Sequence, residues 1–333
     1  VEMALVEEEL AWGDAGAAFA LAGPGALAHF VLELGDAEQQ KHVLSSFGGP
    51  AGAKRRGAVA WTEPKPSARE GLATRAHRDG DAWVLDGEKT FVLDGGIADD
   101  YVVFAQLDEG AGWSGLGAFH VTADAPGLVA GARIKTLGLD AAHVGGITLR
   151  GVRVRDSARL LGGTDFGAAL VRAFARHALW IAARRVGLAS RAFDLAYQYT
   201  QERTAFGKPI GHFQAIAFTV CDRLMDVESA RWMTWRAASE WDAGRVDLRL
   251  VAAASAHASE VAMRAGDDGV QLHGGAGFIR DFAIEKLMRD AKQIGIVGWS
   301  AATADQLLAS QELGAKIDLA AALPTPDVQA VCV

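Results

Sequence analysis

The sequence predicts an α+β fold: a helical start, a β region in the middle and a long helical bundle at the end. Three observations carry this. Seven of the eight prolines lie outside residues 160–320, with only Pro209 inside, which leaves the proline-poor span that long helices need. Residues 57–155 instead fall into short stretches rich in Val, Phe and Trp, parted by turn residues. From residue 164 onward, apolar positions recur at helical spacing.

Within residues 1–47, Met3, Leu5, Val6 and Leu10 stand near helical spacing, and "GALAHFVLELG" closes on Gly35, a helix stop. The β region reads as "AVAW", "DAWVLDG", "KTFVLDG", "YVVFAQL", "GAFHVTA", "GLVAGARI" and "GGITLRGVRV". Asp86-Gly87, between "AWVL" and "KTFVL", predicts a hairpin turn. In the bundle, Leu188, Ala192, Leu195 and Tyr199 share one helix face while Arg191, Asp194 and Gln198 take the other. The next helix closes on Gly244, a third runs from Leu248 to Gly266, a fourth covers 281–297 and a last one 300–314. Short loops between them predict antiparallel neighbours. The divisions are 1–55 (helical), 56–160 (β), 161–322 (bundle) and an extended tail, 323–333.

Composition narrows the classes. The chain has 333 residues, is 50% hydrophobic and carries a net charge of −8, which suits a large packed core and not a nucleic-acid surface. The one short basic run, Lys54-Arg55-Arg56, reads as a solvated loop. Cys221 and Cys332 are too far apart for a metal-site spacing, so no metal is expected, and sparse cysteine fits a reducing cytoplasm. No apolar run approaches the roughly 18 residues of a membrane span. The start, "VEMALVEEEL", is acidic and lacks the basic opening of a signal peptide.

Three stretches suggest chemistry. In "AWTEP", residues 60–64, the Thr62 hydroxyl suits a carbonyl of a flat heterocycle and Trp61 a ring face; the same letters describe a strand stopped by Pro64. In "ERTAFGKPIGHFQAI", residues 202–216, Arg203 offers a planar fork for phosphate oxygens, Phe206 a stacking face and Gly207 a tight turn; it also reads as a helix–helix loop with a surface Arg. In "QLHGGAGF", residues 271–278, Gly274, Gly275 and Gly277 permit close backbone approach. That stretch follows no strand, so a Rossmann reading fails its own context, and taken alone it is a helix-breaking turn.

Together, in this order and arrangement, "WTEP", "RTAFGKPIGHFQ" and "QLHGGAGFIRDFAIEKLMRDAK" resemble the acyl-CoA dehydrogenase family of flavoproteins. The resemblance runs from about Ala4 to the last helix. It implies an N-terminal α-domain, a middle β-domain and a C-terminal four-helix bundle. It also implies a dimer of dimers with flavin adenine dinucleotide (FAD) between subunits. By that resemblance Arg203, Phe206 and Gln214 hold the diphosphate and adenine of a flavin lodged mainly in a neighbouring subunit. Gln271, Gly274 and Gly275 form the second piece of the same cradle. Trp61, Thr62 and Phe91 are ring contacts. The N-terminal helical region is short for the family, which implies a missing part of the wall over the acyl pocket.

The sequence also departs from the family. Lys65-Pro66 and Ser67-Ala68-Arg69 stand where Gly-Ser-Asp is usual. Phe91-Val92-Leu93 replaces Trp-Ile-Thr, so Leu93 brings no hydroxyl to the flavin's reactive nitrogen. Val297-Gly298-Trp299-Ser300 aligns with Tyr-Glu-Gly-Thr, so Gly298 stands where the catalytic carboxylate belongs, and glycine cannot be a general base. Trp299 is expected to narrow the acyl pocket. Some members carry their Glu on an earlier helix, at the position of His177. A neutral His accepts a proton near pH 7, but a histidine beside Arg176 is also an ordinary packed helix residue.

Three functions follow as expectations. The first is a non-catalytic subunit of a hetero-oligomer, completing the FAD site of a related chain that oxidises an acyl-CoA, of fatty-acid or bulky steroid side-chain type, to the 2,3-enoyl-CoA and passes electrons to an electron-transfer flavoprotein or similar acceptor. The second is a homo-oligomeric FAD enzyme with His177 as base or with other oxidation chemistry. The third is a flavin-free structural or regulatory homologue.

Overall fold

The computed structural model describes residues 1–64 and 71–296. Gly298 and Trp299, the helix expected over 300–314, the tail 323–333 and the Lys65–Arg69 stretch lie outside the described residues. The chain begins with α1 (Glu2–Ala20), α2 (Gly25–Leu34), α3 (Ala37–Ser45) and α4 (Gly49–Gly52). Eight strands follow: β1 (Gly57–Ala60), β2 (Arg75–Asp79), β3 (Ala82–Leu93), β4 (Asp100–Gln106), β5 (Leu116–Thr122), β6 (Leu128–Ala130), β7 (Val144–Arg155) and β8 (Arg159–Leu160). The long helix α5 (Phe166–Glu202) leads into a small hairpin, β9 (Thr204–Ala205) and β10 (Lys208–Pro209). Three more helices close the described chain: α6 (Gln214–Asp242), α7 (Leu248–His273) and α8 (Ile284–Ile296). Among the described residues, no helix is long and apolar enough to cross a membrane.

One compact unit holds Ala20–Lys135 and Ala142–His177. Its sheet runs in the order β6-β7-β3-β2-β4-β5-β8, with β1 beside β4. Every residue of β4 is buried, because both faces of a central strand are covered, and Tyr101 and Val103 join Leu85, Phe119 and Ile147 in one core. α2 stops at Gly35 as expected, the Gly35 N–H returning to Val31 O. Asp36 then opens α3 with a capping box: its carboxylate accepts the Gln39 N–H while the Gln39 side chain accepts the Asp36 N–H.

Two expectations are corrected here. Asp86-Gly87 is not a hairpin turn, since β3 runs straight through it. The turn is made by an earlier Asp-Gly pair, at Gly80 (φ 66°), where Asp79 pairs with Ala82. Asp86 instead opposes a bulge in β7, and its carboxylate accepts the Gly151 N–H at 2.7 Å. A Cβ at Gly87 would stand 2.6 Å from Thr74 Oγ1, so this glycine serves close strand approach. The basic run is not simply a solvated loop either. Lys54 is exposed, but Arg55 pairs with Asp100 at 2.5 Å, and Arg56 donates to Asp94 at 3.2 Å and to Ala20 O at 2.8 Å.

The other unit holds Val1–Phe19, Thr136–Ala141 and the chain from Ala178. The compact units thus group α1 with the bundle and the first turns of α5 with the sheet, rather than dividing at 55 and 160. Buried acids fasten α1: Glu7 to Arg184 (2.6 Å), Glu8 to Arg231 (2.6 Å) and to Trp235 Nε1 (2.9 Å). Asp14 leaves helical geometry and caps the restart by accepting the Ala17 N–H at 2.9 Å. On α5, Leu188 and Ala192 are buried while Asp194 and Gln198 are exposed, as the spacing predicts.

α7 does not stop at Gly266; it continues to His273. Gly266 and Gly269 are there for contact with α8. A Cβ on Gly266 would lie 3.0 Å from Met288 Cα, and one on Gly269 would lie 2.5 Å from Ile284 Cδ1. α8 begins at Ile284, three residues later than the sequence pattern suggests.

Candidate functional site

In the sheet-bearing unit, β1 delivers the chain into Trp61-Thr62-Glu63, and β3 holds that segment at three points. Lys89 Nζ donates to Trp61 O (3.0 Å) and to Glu63 Oε1 (2.9 Å), while the Thr90 N–H donates to Thr62 O (2.9 Å). Glu63 also accepts the N–H groups of Ala73 (2.6 Å) and Thr74 (2.8 Å). The ion pair is sealed, with side-chain exposures of 0% for Lys89 and 2% for Glu63. Burial pushes the Lys89 amine down to about 8, with Glu63 only partly offsetting it. Burial alone would push the Glu63 carboxyl up, but the Lys89 charge and the hydrogen bonds from Thr74 and Lys89 outweigh it and hold it below its usual value.

Just past Lys89, β3 bulges, so that Thr90 and Phe91 oppose the single residue Gly146 of β7. Phe91 takes φ 49°, a region that bulky side chains rarely occupy. Gly146 has to be glycine, because a Cβ there would lie 2.7 Å from Lys89 O. Thr62 and Phe91 are half-buried and keep surface to offer a ligand. Trp61 differs: it is 6% exposed and packs edge-on to Phe104 and Phe174, both at 5.0 Å between ring centres. Its indole is therefore largely taken up by the core rather than held out to cover a ring. Leu93 is half-buried and supplies no polar atom.

His177 lies one helical turn beyond Phe174, so the structure brings it close to the residues packed on Trp61. Its ring is 5.9 Å from His29 and 6.2 Å from Phe30. The adjacent Arg176 pairs with Glu33 at 2.7 Å. The sequence reading did not single out His29, Glu63 or Lys89. Lys89 follows Glu88 in a strand that also carries Asp86 and Thr90, so nothing in the letters set the buried pair apart from solvated charges.

In the bundle unit, the loop after α5 is a two-residue hairpin. Ala205 pairs with Lys208, and Phe206 (φ 52°) and Gly207 (φ 79°) make its tip. Such a tip needs two positive φ angles and favours Asn or Gly, yet it carries a phenylalanine that is 96% exposed. Arg203 anchors the base of the hairpin, its N–H on Tyr199 O (2.9 Å) and its carbonyl accepting the Ile210 N–H (2.8 Å). Its guanidinium end is left at an exposed position, and Gln214 is exposed at the start of α6.

α7 runs back so that its C-terminus meets the end of α5. The His273 ring stacks on Tyr199 at 4.2 Å and meets Phe282 edge-on at 5.8 Å. Burial lowers the His273 pKa, against its own hydrogen bond to Gly269 O (2.8 Å). The stack puts the Arg203 hairpin and the Gln271–Gly275 turn at one end of the bundle. Gln271, Gly274 and Gly275 are exposed there. Gly274 needs its φ of 56°, whereas nothing among the described residues lies within 4 Å of a Cβ built on Gly275. Gly277 is a glycine for the fold's sake, because a Cβ there would lie 2.3 Å from Val270 O. A cation, a displayed aromatic ring, two amides and an unobstructed glycine fit the diphosphate and adenine of a dinucleotide.

This fold and this pair of surfaces define a flavoprotein oxidoreductase class, and comparison with known proteins gives the family. Models of the acyl-CoA dehydrogenase middle domain and C-terminal domain match residues 58–152 and 166–305. "Probable acyl-CoA dehydrogenase FadE25" of Mycobacterium tuberculosis is 36% identical over 295 residues, 88% of this chain and 75% of the relative. Cyclohex-1-ene-1-carbonyl-CoA dehydrogenase of Geobacter metallireducens is 35% identical over 266 residues, 79% of this chain and 69% of the relative. Butyryl-CoA dehydrogenase from Megasphaera elsdenii superposes with a TM-score of 0.85 at 29% identity, covering 93% of this chain and 81% of that one. The chain belongs to the acyl-CoA dehydrogenase family.

Proposed function

We propose that this chain is a subunit of an FAD-dependent acyl-CoA oxidation enzyme and completes the flavin site of a related, base-bearing subunit. The observation that carries this reading is Gly275. Nothing among the described residues requires a glycine there, and it stands beside exposed Gln271 and at the same bundle end as Arg203 and a strained, 96% exposed Phe206. Such a surface is built for an occupant from outside the chain. Arg203 would neutralise and orient the diphosphate, Phe206 would cover the adenine, and Gln214 and Gln271 would fix the dinucleotide by hydrogen bonds. Bound FAD supplies the hydride acceptor for oxidation of an acyl-CoA thioester.

The sequence puts Gly298 where the family's carboxylate belongs, so this chain does not supply the α-proton acceptor there. The acyl-CoA substrate class agrees with the names of the relatives, whose acyl groups differ; chain length is left open. Transfer of the electrons to an electron-transfer flavoprotein or similar acceptor belongs to the same reading. Co-expression with a paralogous family member tests it. A hetero-oligomer that retains FAD and loses it on Arg203→Ala is expected. A stable homo-oligomer with one flavin per chain would sink it.

A second reading is favoured by the placement of His177 beside His29, a turn from the residue that packs on Trp61. There the chain forms its own flavin enzyme and His177 takes the α-proton. The test is bleaching of bound flavin by acyl-CoA thioesters. Bleaching unchanged in His177→Ala removes His177 from the account.

A further inference from the structure

We infer that Lys89 and Glu63 are positioning residues for flavin: their buried pair sets the β3 bulge and so pre-forms the wall made by Thr62 and Phe91. The inference rests on the flavin reading above and deepens it. The hydrogen bonds of this segment run in sequence. Lys89 takes Trp61 O, Thr90 takes Thr62 O, and Lys89 with Ala73 and Thr74 takes the Glu63 carboxylate. Two consecutive carbonyls of an irregular segment are thus held by two consecutive residues of β3. The next residue, Phe91, is the one at φ 49°.

A strained backbone persists only where its surroundings over-determine it. On one side that constraint is the Lys89–Glu63–Trp61 lattice. On the other it is Gly146, the residue that admits the bulge. The pair has no route to solvent, so a solubility role is excluded by its 0% and 2% exposure. Stability alone does not require it either, since a buried ion pair is often matched by an apolar pair of the same volume. What the apolar pair cannot do is hold Trp61 O and the Glu63 carboxylate from a single side chain.

With the lattice removed, Phe91 relaxes to an ordinary φ and the wall must be rebuilt on binding. Release of strain of this size, with the binding-competent wall then a minor state, weakens flavin binding by roughly 5- to 150-fold. The test uses the Lys89→Met/Glu63→Gln double variant, which leaves no unpaired buried charge. It is compared with wild type by amide hydrogen exchange on the chain alone and by FAD titration of the oligomer formed with a paralogue. We expect a cooperative melt near that of wild type, faster exchange at the Thr90 amide, weaker FAD binding and loss of resolved structure in the visible flavin band. Should the double variant not fold, Lys89→Gln/Glu63→Gln, which keeps a neutral hydrogen bond and no charge, carries the same comparison with a smaller shift. Unchanged Thr90 protection, or wild-type FAD affinity and spectrum despite lost protection, would overturn the inference and leave the proposed function standing. A wild-type oligomer that takes up no flavin would overturn the function itself, whatever Thr90 does.

Discussion

The bundle end and the β3 bulge both display an aromatic residue in the left-handed region, Phe206 at φ 52° and Phe91 at φ 49°, but they are built in opposite ways. Phe206 sits at the tip of a two-residue hairpin with almost no cover from its own chain. Phe91 is clamped between a sealed ion pair and a glycine that leaves room for the bulge. In the proposed reading the first surface is shaped for something outside the chain, and the side chains of Arg203, Phe206 and Gln271 stand exposed there. The second is shaped from within, by charges that never meet solvent. Strain at the first costs little to keep because a hairpin tip is forgiving. Strain at the second requires a lattice.

The difference can be broken by substitution, beginning with the largest expected effect. Arg203→Ala removes charge-assisted hydrogen bonds worth about 1.5–3 kcal/mol each, so FAD retention by the hetero-oligomer should fall about 10- to 100-fold. Its melting temperature without flavin should stay put, and equilibrium dialysis with a thermal melt reads both. Gly277→Ala should do the reverse. Its Cβ meets Val270 O, and overpacking of that kind costs about 1–3 kcal/mol of stability. Gly275→Ala, two residues away, meets nothing within 4 Å among the described residues. It should melt like wild type and lose flavin only. If Gly275→Ala instead destabilises the free chain, the cradle is not built for an outside occupant.

Phe206→Gly should sharpen the contrast. It relieves a positive φ and so raises stability slightly, while loss of ring stacking weakens FAD by about 0.5–1.5 kcal/mol. The analogous relief at Phe91 should gain little, because its half-buried ring gives up packing as the positive φ is relieved.

The last effect is one of pH. Burial holds the Lys89 amine at about 8 in the folded chain, below the usual 10.5 of a lysine. Between those values the unfolded chain binds more of this proton than the folded one, so stability from this group rises with pH across that window. Denaturation of wild type compared with the double variant at pH 7.5 and pH 10 should show wild type gaining relative stability at the higher pH. A relative loss would mean that the folded pKa of Lys89 is not depressed.

Much of this was legible in the sequence, and the failures have physical causes. Helix and strand regions follow from proline placement and apolar spacing, since both record which backbone hydrogen bonds can form. The proposed cradle residues are legible only through the resemblance of their two motifs to the family's, and the structure adds that Arg203, Phe206, Gln214, Gln271, Gly274 and Gly275 are exposed. The hairpin placed at Asp86-Gly87 failed because Asp79-Gly80 carries the same local signal, and only strand pairing decides which pair turns. Reading Gly266 as a helix stop failed because a glycine that admits a neighbouring helix has the same letter as one that ends its own. Lys89 and Glu63 escaped notice for a related reason. Each looks like a solvated charge until both are seen sealed in the same interior.

The most direct test is the flavin content and visible spectrum of this chain purified alone and with a co-expressed paralogue. The account predicts little or no flavin alone, and stoichiometric FAD in a hetero-oligomer whose flavin is lost on Arg203→Ala. A yellow homo-oligomer with one FAD per chain, formed without any partner, would contradict it.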